Sequence, residues 1–147
     1  MLPDTKPQEL SPDEQEKLDN YLIDAAREGY TFDVEISLAM GADVHATNDW
    51  ALCCAAYWGH TKTVQVLAAH IFAPDSWRGK KRTEIEAQAD ALYGRIKSTS
   101  LMSPIKPERL REAATILLDC ALNCWEQVRP APRPLNISAR LAQPMPL

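Results

Sequence analysis

Apolar residues recur along this chain at three- and four-residue steps, the period of an α-helix buried on one face. Leu18, Tyr21, Leu22, Ala25 and Ala26 form the first such stripe. Ser11-Pro12-Asp13-Glu14 precedes it, combining an N-cap serine, a proline in the first turn and early acids that complement the helix dipole. A helix is therefore predicted to start there and to stop at Gly29. Val34, Ile36 and Leu38 before Gly41, and the apolar run from Trp50 to Tyr57 before Gly59, predict short helices separated by glycine turns. Ile85, Ala89, Leu92 and Ile96 mark another helix over 83–97, and Leu110, Ala114, Leu117, Leu118, Ala121 and Trp125 one over 107–128.

Proline sets the boundaries of this pattern. It is absent from 13 to 73, returns at 74, 104 and 107, and occurs five times in the acid-free tail RPAPRPLNISARLAQPMPL. Residues 1–10 are expected to be a flexible N-terminus, 11–128 one helical domain, and 129–147 an extended tail. The serine- and proline-rich segment KSTSLMSPIKP reads as a loop between the last two helices.

Composition supports a single folded unit. At 147 residues the chain suits one domain, and 46% hydrophobic with 24% charged residues is ordinary for a globular protein. Charge is unevenly shared: residues 1–49 carry 12 acids and 3 bases, net −9, whereas the remainder is net +5. No stretch is apolar enough for a membrane span, and MLPDTKPQEL lacks the order of a secretory signal, so a cytoplasmic protein with no membrane partner is expected. The four cysteines are clustered, Cys53 beside Cys54 and Cys120 four residues before Cys124, which suits reduced thiols better than a secreted disulfide framework.

The chain also repeats itself. Ala25-Ala26-Arg27-Glu28-Gly29 aligns with Ala55-Ala56-Tyr57-Trp58-Gly59 at an offset of 30, and the same offset carries Val34 onto Val64. Gly41-Ala42-Asp43-Val44-His45-Ala46, then Leu52, Ala55-Ala56, Gly59-His60, Val64 and Leu67, resembles the ankyrin repeat over about residues 20–72. Trp50-Ala51-Leu52-Cys53 departs from the family's usual Thr-Pro-Leu-His, and the preceding turn is shortened. The resemblance implies an all-α fold: an ankyrin-like helix-turn-helix repeat solenoid with additional C-terminal helices and a proline-rich tail. Residues 82–128 would be a degenerate third repeat or an insertion, since single helix pairs cannot bury their apolar faces alone.

Catalytic constellations are sparse. The five glycines lie too far apart for a P-loop or a dinucleotide fingerprint. Cys54 with His60 would be the candidate nucleophile and base, but both fall on repeat positions that serve packing, and His60 matches a structural turn histidine of the family. Cys120 and Cys124 share a helix face and would need Cys53, Cys54 or a histidine to make a zinc site; buried structural thiols are the simpler reading, so no metal and no cofactor is expected. No small-molecule substrate and no enzyme activity are inferred.

The resemblance instead implies a contact surface. The two positions after the paired alanines face the ankyrin groove, here Arg27 and Glu28, then Tyr57 and Trp58. The shortened turn adds His45, Asn48, Asp49 and Trp50. Tyrosine, tryptophan and arginine often dominate interfaces, because they combine large apolar area with a polar handle. Either tryptophan of this set would otherwise pack on a neighbouring helix, while Trp77 and Trp125 read as core or cap residues. A second surface is the basic loop Arg78-Gly79-Lys80-Lys81-Arg82. The expected function is binding to another protein, of an inhibitor or immunity type, with antagonism of host defence in the host cytoplasm as its viral form. The alternative is a nucleic-acid-associated regulator using Arg78, Lys80, Lys81, Arg82 and the cationic tail.

Overall fold

The computed structural model describes residues 10–99 and 103–130. The readings for the first nine residues and for most of the proline-rich tail lie outside them. Among the described residues the chain is all helical: α1 (Pro12–Glu28), α2 (Thr31–Ala39), α3 (Ala46–Tyr57), α4 (Thr61–Ile71), the short α5 (Pro74–Trp77), α6 (Arg82–Thr99) and α7 (Pro107–Val128). No described helix is long and apolar enough to cross a membrane.

Local chemistry explains the ends. The Glu14 N–H donates to Ser11 Oγ at 3.2 Å, Pro12 opens α1, and Asp13 and Glu14 occupy its first turn. Gly29 closes it at φ 77°, a left-handed conformation that a side chain would strain. The next turn then forms through Tyr30 N–H to the Ala25 carbonyl at 2.9 Å and Val34 N–H to Tyr30 at 3.0 Å. The same two bonds recur 30 residues on, His60 to Ala55 at 2.9 Å and Val64 to His60 at 3.0 Å. The sequence repeat is thus also a repeat of backbone geometry.

The helices pack in pairs. α1 lies on α2 and α3, α4 on α2 and α3, while α6 packs on α3 and α7 packs on α6 and α4. Small residues permit the close approach: Ala26, Ala55 and Ala68 are fully buried beside Leu22, Leu52 and Leu67. Helices α6 and α7 form a third pair on the second rather than a separate unit. His60 Nε2 hydrogen-bonds the Arg27 carbonyl at 2.9 Å, and Thr31 Oγ1 meets Thr63 Oγ1 at 3.1 Å. One pair later Arg109 donates to the Tyr57 carbonyl at 2.8 Å, and Thr61 donates to Glu112 at 3.1 Å.

Two stripe assignments shift. α6 buries Ile85, Ala89, Leu92 and Ile96 as expected, and extends past Lys97 through Ser98 and Thr99, which composition alone places in the loop. α7 instead buries Ala113, Ile116, Leu117, Ala121 and Cys124, leaving Leu118 exposed and Ala114 half-buried. Leu117 and Leu118 lie about 100° apart around the helix, and the elements packed on α7 cover the first and leave the second open to solvent. On α1, Tyr21 also points outward, Ile23 taking its place in the core. Trp77 stacks on Phe72 at 6.0 Å between ring centroids and donates to the Ile71 carbonyl at 2.8 Å, and Trp125 is half-buried against the core.

Candidate binding groove

A groove of about 320 Å³ is lined by Arg27 of α1, Trp50, Cys53, Cys54 and Tyr57 of α3, Trp58, Thr99 at the end of α6, and Ser103 beyond it. It brings together four of the residues read from the sequence as contacts. Trp58 is 51% exposed and Trp50 is 42% exposed, so neither ring is absorbed into the core. Tyr57 is half-buried: its hydroxyl hydrogen-bonds Ser103 at 2.7 Å, and its ring meets Trp58 edge-on at 5.0 Å between centroids. That geometry gives the wall a fixed aromatic corner. Arg27 pairs with Asp24, and its side chain keeps 49% exposure at the rim.

The thiols form part of the lining, a role the sequence conceals because a buried cysteine beside a core alanine reads as packing. Burial pushes the Cys54 thiol up to about 11, against a smaller opposing effect of Arg27. Burial raises Cys53 too, with Thr99 hydrogen bonding in the opposite direction. A thiol this basic is almost wholly protonated at neutral pH, the reverse of an activated nucleophile. His60 is engaged with the Arg27 carbonyl and fills the space above Gly29, where a Cβ would come within 2.6 Å of its ring. Thr99 and Ser103 come from the serine-rich segment, and only the packing of α6 on α3 places them here.

The shortened turn is more structural than expected. Thr47, Asn48 and Asp49 adopt left-handed conformations, with φ of 55°, 55° and 61°. Asn48 and the His45 ring remain accessible. Asp49 does not: it is 0% exposed, which corrects its assignment to the contact surface. Its carboxylate turns inward to meet the Arg95 guanidinium of α6 and His45 Nδ1. A carboxylate removed from water needs such partners, and Arg95 reaches it from outside the repeat. Glu28 is exposed at the end of α1 but does not line the groove.

Arg78, Lys80, Lys81 and Arg82 are exposed between α5 and α6. Arg82 opens α6 and Thr99 ends it, so the basic loop and the groove sit roughly 25 Å apart along that helix. Arg78 pairs with Asp75 at 3.0 Å and Arg82 with Glu86 at 2.7 Å, so two of the four charges are locally compensated. Among the described residues no three His, Cys, Asp or Glu side chains converge as metal ligands would. No protein-family model, curated protein or solved structure matches the chain.

Proposed function

We propose that this chain is a partner-binding protein, an ankyrin-like stack of helix pairs whose groove between α1, α3 and the end of α6 receives part of another protein. The observation that carries this reading is the convergence of Arg27, Trp50, Tyr57 and Trp58 on one groove. Two exposed tryptophans and a braced tyrosine supply large apolar area at low conformational cost, and the arginine supplies charge at the rim. A volume of about 320 Å³ admits only the anchor side chains of a partner, whose remaining surface would lie across α1 and α3. The repeated turn bonds and the repeated contacts between pairs support the ankyrin-like reading. Binding is itself the mechanism: occupation of the groove masks or retunes the partner surface, as an inhibitor or immunity-type protein does. The cytoplasm suits a chain with four free thiols.

The test places a photoreactive phenylalanine analogue at Trp58, or at Ala87 on the exposed face of α6 as control, in the full chain expressed in its native cell. A discrete adduct from position 58, lost when Trp50→Ala is added, is expected. Equal adducts from both positions, or an adduct indifferent to Trp50→Ala, would reject the groove. Once the partner is identified, Trp58→Ala should weaken it by about 2 kcal/mol or more, roughly 30-fold, with an unchanged helical signal.

A further inference from the structure

The end of the stack formed by α1 and α2 carries a second surface, independent of the groove. Positions 21, 30, 33 and 36 correspond, one repeat later, to Ala51, His60, Thr63 and Val66. In the second pair these residues face the first: Ala51 and Thr63 are 1% exposed, Val66 is half-buried, and His60 and Thr63 make the bonds to Arg27 and Thr31. In the first pair the same positions hold Tyr21, Tyr30, Asp33 and Ile36, and no described helix covers them. Tyr30 is 58% exposed and Ile36 38%, with Met40 beyond them at 63%.

Asp33, Ile36 and Met40 follow one another at three- and four-residue steps, making the ridge along which a second helix packs. The patch is apolar, and the two helices that form it, α1 and α2, carry eight acids against two bases. Asp33 lies within it, close enough to the Tyr21 hydroxyl to raise its pKa together with partial burial, the larger cause. A second copy presenting the same face would bring two such acidic surfaces together. A basic helix would not.

We propose that this end face docks a basic amphipathic helix of a partner protein, which stacks on α1 and α2 much as α3 and α4 do. Its apolar stripe covers Tyr30, Ile36 and Met40, and its lysines or arginines meet Asp33 and the surrounding acids.

The test titrates the full chain into a fluorescein-labelled synthetic helix of leucine and lysine in amphipathic order. A leucine–glutamate helix of the same pattern and a scrambled leucine–lysine peptide serve as comparisons. Saturable binding of the ordered basic helix is expected, at least tenfold weaker for the Ile36→Ser/Met40→Ser variant, weakened also by Asp33→Asn, and unchanged by Trp58→Ala. Because both serines replace exposed side chains, the helical signal and melting temperature should hold; if they fall, Tyr30→Ser alone gives the same reading. No binding, equal binding of the scrambled peptide, or binding that survives Ile36→Ser/Met40→Ser overturns the proposal. So does a concentration-dependent dimer in sedimentation that is lost in the double variant, which would make a second copy the occupant.

Discussion

Arg109 donates from its guanidinium to the Tyr57 carbonyl at 2.8 Å, the role that His60 performs on Arg27 one helix pair earlier. Different side chains thus close the same joint, each lying over a left-handed glycine and satisfying a carbonyl at the end of an inner helix. Removing Arg109 leaves the Tyr57 carbonyl without its charged donor. Arg109→Ala should cost about 1.5–3 kcal/mol, seen as a lower urea midpoint, with Arg109→Lys recovering part of it. An unchanged midpoint for Arg109→Ala would mean that α7 is held by its apolar face alone.

Gly29 and Gly94 should respond to alanine in opposite directions. Gly29 has φ 77°, and a Cβ there would meet the His60 ring at 2.6 Å, a ring already fixed by its bond to Arg27. Left-handed strain and the displaced imidazole together predict a loss of about 2–3 kcal/mol for Gly29→Ala. Gly94 lies inside α6 with nothing within 4 Å of the place a methyl group would take, so Gly94→Ala should stabilise by about 1 kcal/mol. Thermal melts of the two variants check both signs.

Asp49 couples the left-handed turn to α6. Arg95→Ala would leave a fully buried carboxylate with His45 Nδ1 as its remaining side-chain partner, and should cost about 3 kcal/mol. Arg95→Met combined with Asp49→Asn removes both charges and should be less damaging than Arg95→Ala. A double-mutant cycle in urea measures the coupling, and additive losses would show that the pair is not coupled.

Burial holds all four thiols above their usual pKa of 9.0, Cys54 at about 11. The folded state therefore favours the protonated thiol over the unfolded state. This contribution is complete below the unfolded value and is lost as pH rises through the folded value. Stability should fall between about pH 9 and pH 11, less steeply in Cys54→Ala. Reaction with a thiol reagent at neutral pH should likewise be slow in the native chain and rapid in concentrated urea.

Features set by neighbours along the chain were legible in the amino-acid sequence. Ser11, Pro12 and Glu14 define the start of α1, and the spacing of Ala25, Ala26 and Gly29 reappears at Ala55, Ala56 and Gly59 with the same turn bonds. Helical period and capping act over a few residues, so one strand of letters carries them. Of the groove residues, Arg27, Tyr57 and Trp58 were legible through the same repeat and Trp50 through the shortened turn.

What remained was decided by contacts distant in sequence. Arg95 lies 46 residues from the Asp49 it neutralises, and Arg109 resembles neither His60 in type nor its repeat in spacing. The choice of Leu117 over Leu118 as the buried leucine, and the arrival of Thr99 and Ser103 at the groove, follow from how α6 and α7 pack on each other and on α3 and α4. By itself the sequence determined the helices and the repeated turn, because hydrogen-bonding and periodicity are local. Only the tertiary structure decided which charge is buried, which face is covered and which is left open, because desolvation depends on every residue that packs nearby.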